Sequence, residues 1–514
     1  MGLRTMSVTL IKLPERHWNA IACAGSVAKQ LNMRAYIAGG FVRDMILGTV
    51  SDDMDIAVSG DPYEYGTALA SAIGGKFVSL HEEPKIARIV KRYNNEQLQL
   101  DITGIKTSIE DDLLSRDFTI NSLAIPIETI RRAKNSTKAT LQFPDASSCY
   151  DDLIRGVIRM HSGIESKLIL DDPVRMLRAF RFAATLGFKI DESLLSAIEA
   201  NSSLIANCSW ERIRDEFASM LQSYNGSRML GMMDEVGLLG KVLPELESLK
   251  CIPAGGYHHL DGFRHSVESV RFIEMLISGT DWIEEEWRDI GVALHGELKS
   301  YIEHQMNPIV ERRTRLFALK MAALLHDVGK PLTMSRNSDG DLHFFKHEVR
   351  GAETSEQICK RLRLSNRETH LIVQTVRWHM YPLWLARGES LSDRTLRRFW
   401  IKVGEQVGTA IIFVSLADML ATRGVDMTLE EMTMQMKVLL ELIKVQKRLK
   451  ELQAYPKLLS GHDVMKRYGI PQGPIVGKAL HAVREAQLEG RVRTKEEAFL
   501  LLDKLLPSLL SRKV

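Results

Sequence analysis

The spacing of apolar residues divides the first part of the chain into short segments. Residues 1–33 carry apolar positions at helical spacing and are predicted to form an amphipathic helical segment. From residue 34 the apolar runs become short and rich in β-branched side chains, which is typical of strands. We predict strands at 36–38, 55–58, 87–90 and 98–102 and a helix at 64–73, and we expect segments 142–145 and 157–160 to close the sheet.

From about residue 171 the pattern becomes almost wholly helical, because Leu, Ile, Phe and Met recur at helical spacing. Residues 249–256 contain a proline and two adjacent glycines, as a linker does. These changes predict an α+β chain in five parts: an N-terminal helical segment at 1–33, a head at 34–165, a helical neck at 166–252, a helical body at 257–445 and a helical tail at 446–514.

Length, charge and cysteine usage narrow the class of protein. At 514 residues the chain is too long for one hydrophobic core, and a net charge of +3 means that any nucleic-acid-binding surface must be local. Five cysteines without a Cys-x-x-Cys pair argue against a zinc ribbon or a disulfide framework. With no run of ~18 apolar residues and no signal-peptide pattern, we expect a cytoplasmic protein that does not bind a membrane.

The first candidate site combines two glycines with two carboxylates. Gly39 and Gly40 follow a predicted strand and leave room for a triphosphate to approach the backbone, and Arg43 follows to meet phosphate. Asp53 and Asp55 are two positions apart at the start of the next strand-like segment. In a strand, residues two positions apart point to the same side, so both carboxylates would share one face. Because two such carboxylates repel each other unless a cation lies between them, the spacing predicts a divalent metal site for nucleotidyl or phosphoryl transfer.

Three ordered motifs carry a resemblance to a known family. The pattern Gly-Gly-x-Val-Arg-Asp-x-x-Leu-Gly at 39–48, followed by Asp-x-Asp at 53–55, resembles the head of the polymerase-β-like nucleotidyltransferases. Residues 116–124 (Arg-Asp-Phe-Thr-Ile-Asn-Ser-Leu-Ala) and 171–182 (Asp-Asp-Pro-Val-Arg-Met-Leu-Arg-Ala-Phe-Arg-Phe) match two further signatures. Together they resemble the class II branch, which contains the tRNA CCA-end nucleotidyltransferases and the bacterial poly(A) polymerases.

The resemblance implies the role of each motif residue. Asp53 and Asp55 would be the catalytic residues and would hold two Mg²⁺ ions, while CTP, ATP and tRNA would be the substrates. Asp101, at the end of a predicted strand, is an open candidate for a third carboxylate that faces the metals. The residues implied to bind the nucleotide are Gly39, Gly40, Arg43, Arg116, Asp117, Asn121, Asp172, Arg175 and Arg178.

Asp172 and Arg175 suit the selection of a base. They are three residues apart on a predicted helix, so their side chains share a face. A carboxylate only accepts hydrogen bonds and a guanidinium only donates them, which matches cytosine and adenine and opposes uracil and guanine. The resemblance implies that this pair selects CTP and ATP. The usual Glu-Asp-x-x-Arg of the family begins here with Asp171, a conservative departure.

A second candidate site lies in the predicted body. His326 and Asp327 follow an apolar helix at 318–325, with His265 upstream and Asp418 downstream, an order that resembles the HD phosphohydrolase fold. Imidazole and carboxylate ligands suit a transition metal such as Mn, Fe, Ni, Co or Zn. Two readings stay open: hydrolysis of a phosphoester such as a 2′,3′-cyclic phosphate, and a scaffold without turnover that supports RNA.

The remaining histidines divide into two groups. His347 and His379 lie where binuclear HD proteins place extra ligands, and their role stays open. The others match nothing that the fold requires and are predicted to be surface or capping residues: His258, His259, His295 and His304.

One segment departs from the family pattern. Only fourteen residues separate Asp101 from Arg116, whereas enzymes that add all three nucleotides generally carry a longer flexible segment there. A CC-adding specialist that leaves the terminal A to a separate A-adding enzyme is therefore an alternative to a full CCA-adding enzyme. A poly(A) polymerase is a second alternative, although the end of the chain at 498–514 lacks a strongly basic tail. A third is an HD phosphohydrolase with a non-catalytic, RNA-binding head.

Overall fold

The computed structural model describes residues 3–9, 12–93, 96–136, 138–144, 148–255, 257–310, 313–338, 340–388, 391–424, 426–454, 457–488 and 490–511. The head is a mixed eight-stranded sheet with strand order β1-β8-β7-β2-β3-β6-β5-β4, surrounded by helices. Its elements are β1 (Leu3–Thr9), α1 (Glu15–Gln30), β2 (Ala35–Ala38), α2 (Gly40–Ile46), β3 (Asp53–Val58), α3 (Pro62–Ile73), β4 (Lys76–Glu82), β5 (Lys85–Tyr93), β6 (Glu96–Gly104), α4 (Ile109–Leu114), β7 (Ala124–Pro126), α5 (Ile127–Ser136), β8 (Lys138–Pro144), α6 (Cys149–Arg155) and β9 (Val157–Ile158).

The neck and the body that follow are almost entirely helical, which confirms the predicted α+β class. The neck contains α7 (Glu165–Asp171), α8 (Arg175–Leu186), β10 (Lys189–Ile190), α9 (Glu192–Asn201), α10 (Trp210–Leu221), α11 (Gly226–Glu235) and α12 (Leu239–Val242). The body contains α13 (Gly262–Ser278), α14 (Arg288–Gln305), β11 (Pro308–Val310), β12 (Arg313–Thr314), α15 (Arg315–Leu325), α16 (Lys330–Thr333), β13 (Ser335–Arg336), β14 (Leu342–His343), α17 (His347–Arg361), α18 (Asn366–Trp378), α19 (Tyr381–Ala386), α20 (Asp393–Val403), α21 (Glu405–Ala421) and α22 (Leu429–Ala454).

The tail is a separate three-helix unit, α23 (Gly461–Tyr468), α24 (Pro474–Leu488) and α25 (Lys495–Ser511). A hydrophobic cluster of its own, from Leu459 to Leu506, holds these helices together, whereas head, neck and body share one continuous core. Among the described helices none is by itself long and apolar enough to cross a membrane; α20 and α21, bent by 112° at their junction, meet the length and composition criteria only as a pair.

Three predicted boundaries and pairings are wrong in detail. The segment 1–33 begins with β1, which pairs antiparallel with β8, before α1 begins. β9 lies outside the head sheet and pairs in parallel with β10 of the neck. The boundary at 445/446 falls inside α22. Strand partners lie far away along the chain, and a local apolar pattern carries no information about them.

Candidate functional site

The two carboxylates that were predicted to be catalytic lie at the centre of the head sheet. β3 pairs with β2 on one side and in parallel with β6 on the other, which sets Asp55 level with Ala38 and Asp101. Asp53 and Asp55 are two positions apart and therefore point to the same side of the sheet. Arg88 on β5 binds the carboxylate of Asp101 through two hydrogen bonds of 2.7 Å. Asp101 is thus neutralised by an arginine, and Asp53 and Asp55 form the edge of the cavity above.

Both the backbone conformation at position 39 and the side chains around it require glycine. Gly39 lies in the turn between β2 and α2 with a φ of 72°, a left-handed conformation that costs glycine little. A Cβ built at this position would lie 2.4 Å from Arg116 Nη1 and 2.9 Å from Asp55 Oδ2. The bare backbone of Gly39 therefore lets the guanidinium of Arg116 approach the carboxylate of Asp55 across the turn.

A chain of buried hydrogen bonds joins the phosphate side of the cavity to the neck. Arg43 Nη1 donates to Asn121 Oδ1 at 2.8 Å, and Asn121 Nδ2 donates to Asp117 Oδ1 at 3.0 Å. Arg178 Nε on α8 donates to Asp117 Oδ2 at 2.7 Å. Burial raises the pKa of Asp117, but Arg178 and Asn121 outweigh burial, so the pKa is lowered and Asp117 stays ionised.

Phe182 and Arg181 are site residues to which the sequence analysis assigned no role. The guanidinium carbons of Arg43, Arg178 and Arg181 lie 4.9, 5.6 and 4.0 Å from the centre of the Phe182 ring. Such contacts stabilise cations over an aromatic face. The sequence signal was present, because Arg175, Arg178 and Arg181 recur every third residue along α8 and share a face.

Asp172 and Arg175, predicted to select the base, are not arranged as the sequence analysis expected. Asp172 has extended backbone angles and lies in the break between α7 and α8, so it does not share a helix with Arg175. Its carboxylate accepts a hydrogen bond of 2.7 Å from Arg212 on α10, while Arg175 donates to the carbonyls of Leu168 and Ser115. Pro173 follows Asp172 and disfavours helical angles at that position, which explains the break.

One cavity of about 500 Å³ nevertheless brings these groups together at the junction of head and neck. Asp172 and Arg175 lie at its neck wall, with Arg43, Arg116 and the Asp53–Asp55 edge at its head wall. The volume is in the range of pockets that enclose a small molecule such as a nucleotide. Of the residues predicted to bind the nucleotide, these line the cavity: Gly40, Arg43, Arg116, Asp117, Asn121, Asp172, Arg175 and Arg178.

The carboxylates of the cavity fit a hard divalent cation. Burial, followed by the neighbouring Asp101 and Asp53, raises the pKa of Asp55 to about 6 against the opposing charges of Arg116 and Arg43. The ionised form of Asp55 is therefore disfavoured until a cation compensates it. Oxygen ligands from two carboxylates are the donors that Mg²⁺ prefers, and they leave further positions for phosphate oxygens and water.

The second site assembles from five helices and a turn of the body. His265 Nε2 lies 3.3 Å from His326 Nε2 and 3.0 Å from Asp418 Oδ1. On the other side of Asp327, His347 Nε2 lies 3.3 Å from His379 Nε2 and 3.4 Å from Asp327 Oδ1. The ligand atoms form two compact groups that have Asp327 in common: His265, His326 and Asp327, and then Asp327, His347 and His379.

Backbone carbonyls fix the orientation of these imidazoles. Nδ1 of His326, His347 and His379 lies 2.8, 2.9 and 2.7 Å from the carbonyl oxygens of Ala323, Phe344 and Val376. With Nδ1 bonded in this way, the Nε2 atoms face one another and are available to a metal, which is the usual arrangement of metal-ligating histidine. Imidazoles and carboxylates are ligands that suit transition metals, and Asp327 belongs to both groups of ligand atoms.

The structure places His258 elsewhere than the sequence predicted. It was predicted to be a surface or capping residue, but its ring lies 4.7 Å from the ring of His265, and its Nε2 lies 3.4 Å from Lys330 Nζ. His258 and Lys330 line a cavity of about 350 Å³ above Asp327 and Asp418. The histidine precedes α13 in the chain, and the segment 257–261 places it beside His265.

Comparison with known proteins agrees with this geometry. Three families match successive parts of the chain: "Poly A polymerase head domain" at 35–159, "Probable RNA and SrmB- binding site of polymerase A" at 187–250, and "HD domain" at 263–423. An A-adding tRNA nucleotidyltransferase of Deinococcus radiodurans is 31% identical over 471 residues, which cover 90% of this chain and 94% of the relative. The chain belongs to the tRNA nucleotidyltransferase family. A CC-adding tRNA nucleotidyltransferase of Thermus thermophilus is also 31% identical, over 90% of this chain and 92% of the relative.

Solved tRNA nucleotidyltransferases share the fold. A CCA-adding enzyme in complex with ATP superposes with a TM-score of 0.61 at 20% identity, covering 98% of this chain and 96% of the other. A Thermotoga maritima CCA-adding enzyme complexed with tRNA superposes with a TM-score of 0.60 at 21% identity, covering 99% and 100%. The arrangement of head, neck, body and tail is therefore one that other tRNA nucleotidyltransferases adopt.

Proposed function

We propose that the protein transfers CMP and AMP from CTP and ATP to the 3′ end of tRNA, without a template, to build or repair the CCA end. The observation that carries the proposal is the single cavity in which the Asp53–Asp55 edge, the phosphate-side arginines and the Asp172–Arg175 pair meet. Relatives that are named for tRNA nucleotide addition match over nine tenths of the chain and support the same substrate class.

Each side chain has one task in this reaction. Asp53 and Asp55 would hold two Mg²⁺ ions, which when bound acidify the primer hydroxyl and neutralise the triphosphate. Arg43 and Arg116 orient the triphosphate so that pyrophosphate leaves in line with the attacking 3′ oxygen. Arg175 is held by two backbone carbonyls and Asp172 by Arg212, so both arrive pre-oriented at the edge of the base.

A narrower form of this activity, addition of C alone, has one observation in its favour. The fourteen residues between Asp101 and Arg116 form the end of β6, a short turn and α4, which Ser108 caps by accepting from Asp111 N at 3.1 Å. Such a short, ordered connection lacks the longer segment expected of enzymes that switch from C to A. A separate A-adding enzyme would then complete the CCA end.

Extension of three tRNA transcripts, ending at the discriminator base, at C and at CC, tests the proposal. CTP, ATP or both are supplied with Mg²⁺, and products are resolved to single nucleotides. We expect CMP addition that Asp53→Ala and Asp55→Ala abolish without a change in the melting curve. Arrest at CC with ATP present identifies the C-adding form, a complete CCA followed by arrest identifies the full activity, and long A tails identify a poly(A) polymerase.

For the body we propose a binuclear metal site that hydrolyses a phosphoester at an RNA or nucleotide end, such as a 2′,3′-cyclic phosphate. The arrangement that supports this is the sharing of Asp327 by two histidine pairs. Burial opposes ionisation of Asp327, but His326 and Lys330 outweigh burial and hold the pKa of Asp327 well below its usual range, so its carboxylate stays ionised and would serve as a metal ligand. Because none of the five cysteines, all of which the structure describes, forms a disulfide, a cytoplasmic location remains our prediction.

Metal counting by mass spectrometry separates an intact site from a scaffold. We expect about two transition-metal ions per chain, loss of both in Asp327→Ala and loss of one in His265→Ala, because only Asp327 belongs to both groups. Hydrolysis of 2′,3′-cyclic nucleotides should follow the metal content. Full metal occupancy without any hydrolysis would instead favour the scaffold that supports RNA.

A further inference from the structure

A second cleft, which no step above uses, opens beside the nucleotide cavity. It encloses about 650 Å³ and shares Asp53, Arg178 and Arg181 with the nucleotide cavity. Its remaining walls come from α10 of the neck, including Arg214 and Asp215, and from Arg313 at β12 of the body. An arginine of the HD body therefore lies in a cleft that is bordered by a catalytic carboxylate of the head.

We propose that this cleft, here called the primer cleft, receives the 3′-terminal nucleotides of the RNA, and that Arg214 and Arg313 bind their phosphates. The inference rests on the proposed nucleotidyl transfer. In-line displacement needs the primer hydroxyl on the side of the α-phosphate opposite the leaving pyrophosphate. Because Asp53 lines both spaces, a nucleotide in the first cavity and a primer in the second meet at the same carboxylate.

Both arginines keep donors for a phosphate. In the described structure, Arg313 Nε and Nη2 donate to Glu368 at 2.6 and 3.2 Å, and Nη1 donates to Asp215 at 3.1 Å. Arg214 Nε donates to Asp215 at 2.8 Å, and Nη1 donates to the carbonyl of Arg363 at 2.9 Å. A guanidinium has five N–H donors in a planar fork, so each group retains N–H bonds that a phosphate oxygen can accept.

The joint between neck and body holds Arg313 in position. Glu368, which binds Arg313, is fully buried and is the third residue of α18, where its side chain completes the capping box with Ser365. Next to Arg313, Thr314 donates from its backbone N to the side chain of Gln222 at 3.2 Å. Lys320 of the body and Glu274, 2.9 Å apart, form a buried ion pair at the same joint. The body therefore presents Arg313 to the primer cleft as a pre-oriented group.

Asp215 carries a negative charge beside both arginines, so removing it and removing an arginine should change primer binding in opposite directions. Its carboxylate is more than half exposed and contacts both arginines. A phosphate that enters the primer cleft meets this negative charge together with the two guanidinium groups. Removing the charge should therefore strengthen primer binding, whereas removing either arginine should weaken it. A purely structural role of the three residues predicts no gain from Asp215→Asn.

The measurement is binding of a tRNA ending at the discriminator base, by fluorescence anisotropy over a salt series, together with KM for tRNA and for CTP. We expect Arg214→Ala and Arg313→Ala each to raise the KM for tRNA several-fold with an unchanged KM for CTP. Each should also reduce the slope of log K against log[salt] by about 0.7. Asp215→Asn should tighten tRNA binding about two- to fivefold.

Arg363→Ala is the matched control. Arg363 lies at the same joint and pairs with Glu211 at 2.7 Å through an exposed side chain, but it does not line the primer cleft. We expect it to leave the KM for tRNA and the salt slope unchanged. Arg313→Ala removes the arginine partner of the buried Glu368, so the melting curve of this variant is recorded. If Arg313→Ala unfolds, Arg214→Ala and Asp215→Asn decide whether the primer cleft binds tRNA.

Wild-type extension of tRNA separates this inference from the proposed function. If the wild type extends tRNA but Arg214→Ala and Asp215→Asn bind it as the wild type does, the primer lies elsewhere and the inference is wrong. If the wild type does not extend tRNA at all, the proposed function has failed. A loss of binding in Arg363→Ala equal to that in Arg214→Ala would also overturn the inference, because the joint and not the cleft would then be responsible.

Discussion

The crowding around Gly39 is the sharpest constraint on a single residue in the head. Gly39→Ala forces a Cβ between Arg116 and Asp55, whereas Gly48, with a φ of 82°, has open space around it. Both substitutions place an alanine at positive φ, a backbone strain that costs about 1–3 kcal/mol. We expect Gly39→Ala to lower kcat/KM for CTP about 100-fold, because it displaces catalytic groups. Gly48→Ala should stay within about twofold; an equal loss in both variants would contradict the steric explanation.

Arg175 should control base choice more than catalysis. Its guanidinium is oriented by the carbonyls of Leu168 and Ser115, so the remaining N–H bonds face the cavity. Loss of a charged hydrogen bond to the base corresponds to about a 10- to 100-fold change in discrimination. We therefore expect Arg175→Ala to reduce the preference for CTP over UTP by at least about tenfold. Single-turnover rates with each nucleotide measure this, and an unchanged ratio would count against base pairing by Arg175.

Asp55 should make metal binding in the head sensitive to pH. Its pKa is raised to about 6, above the ordinary value of 3.8, so protons compete with the metal as the pH falls through 6. The affinity for a divalent ion should therefore be about tenfold weaker at pH 5.0 than at pH 8.0.

Mn²⁺ binding followed by electron paramagnetic resonance tests this pH dependence. Asp327→Ala protein is used without nucleotide, so that the body site contributes no binding. An ordinary carboxylate would show almost no change over the same range, and a flat profile would show that Asp55 has an ordinary pKa.

At the level of elements, two capping boxes offer a comparison between body and tail. Ser365 caps α18, and Ser460 caps α23 of the tail. In each case the serine Oγ accepts a hydrogen bond from the backbone N of the third helical residue, and the serine backbone N donates to the carboxylate of that residue. Replacing a capping serine by alanine costs about 1 kcal/mol.

The two cores should respond separately in a calorimetric scan. Because α18 belongs to the shared core and α23 to the tail core, Ser365→Ala should lower the melting temperature of the main transition. Ser460→Ala should lower only that of the tail. A single transition that both substitutions shift equally would show that the tail unfolds together with the rest.

At the scale of the whole molecule, the separate tail core suggests a separate task. The tail joins the body only after α22, and its helices pack on one another around Leu459–Leu506. If the tail binds tRNA far from the acceptor end, deleting residues 457–514 should raise the KM for full tRNA about tenfold or more. The KM for an acceptor-stem minihelix should stay unchanged. An equal effect on both substrates would place the tail contact near the acceptor end instead.

The sequence by itself determined the family, the α+β class and most of the elements. Glycine before a helix, carboxylates at strand spacing and histidine beside aspartate at a helix end are local patterns, and local geometry is enough to single them out. These patterns, together with the family resemblance, made Asp53, Asp55, His326 and Asp327 the candidate site residues. The short connection before Arg116 was also visible from chain length alone.

Only the tertiary structure decided how these residues are paired and which further residues join them. Asp172 pairs with Arg212, Asp101 is bound by Arg88, and His258 packs against His265. Asp172 and Arg212 lie 40 residues apart in the chain, and β1 pairs with β8 across the length of the head. Arg88 and Asp101 are closer in the chain, on consecutive strands, but they meet only because the register of β5 and β6 sets them opposite each other. The packing of whole elements determines such partners, and a local apolar pattern does not specify it.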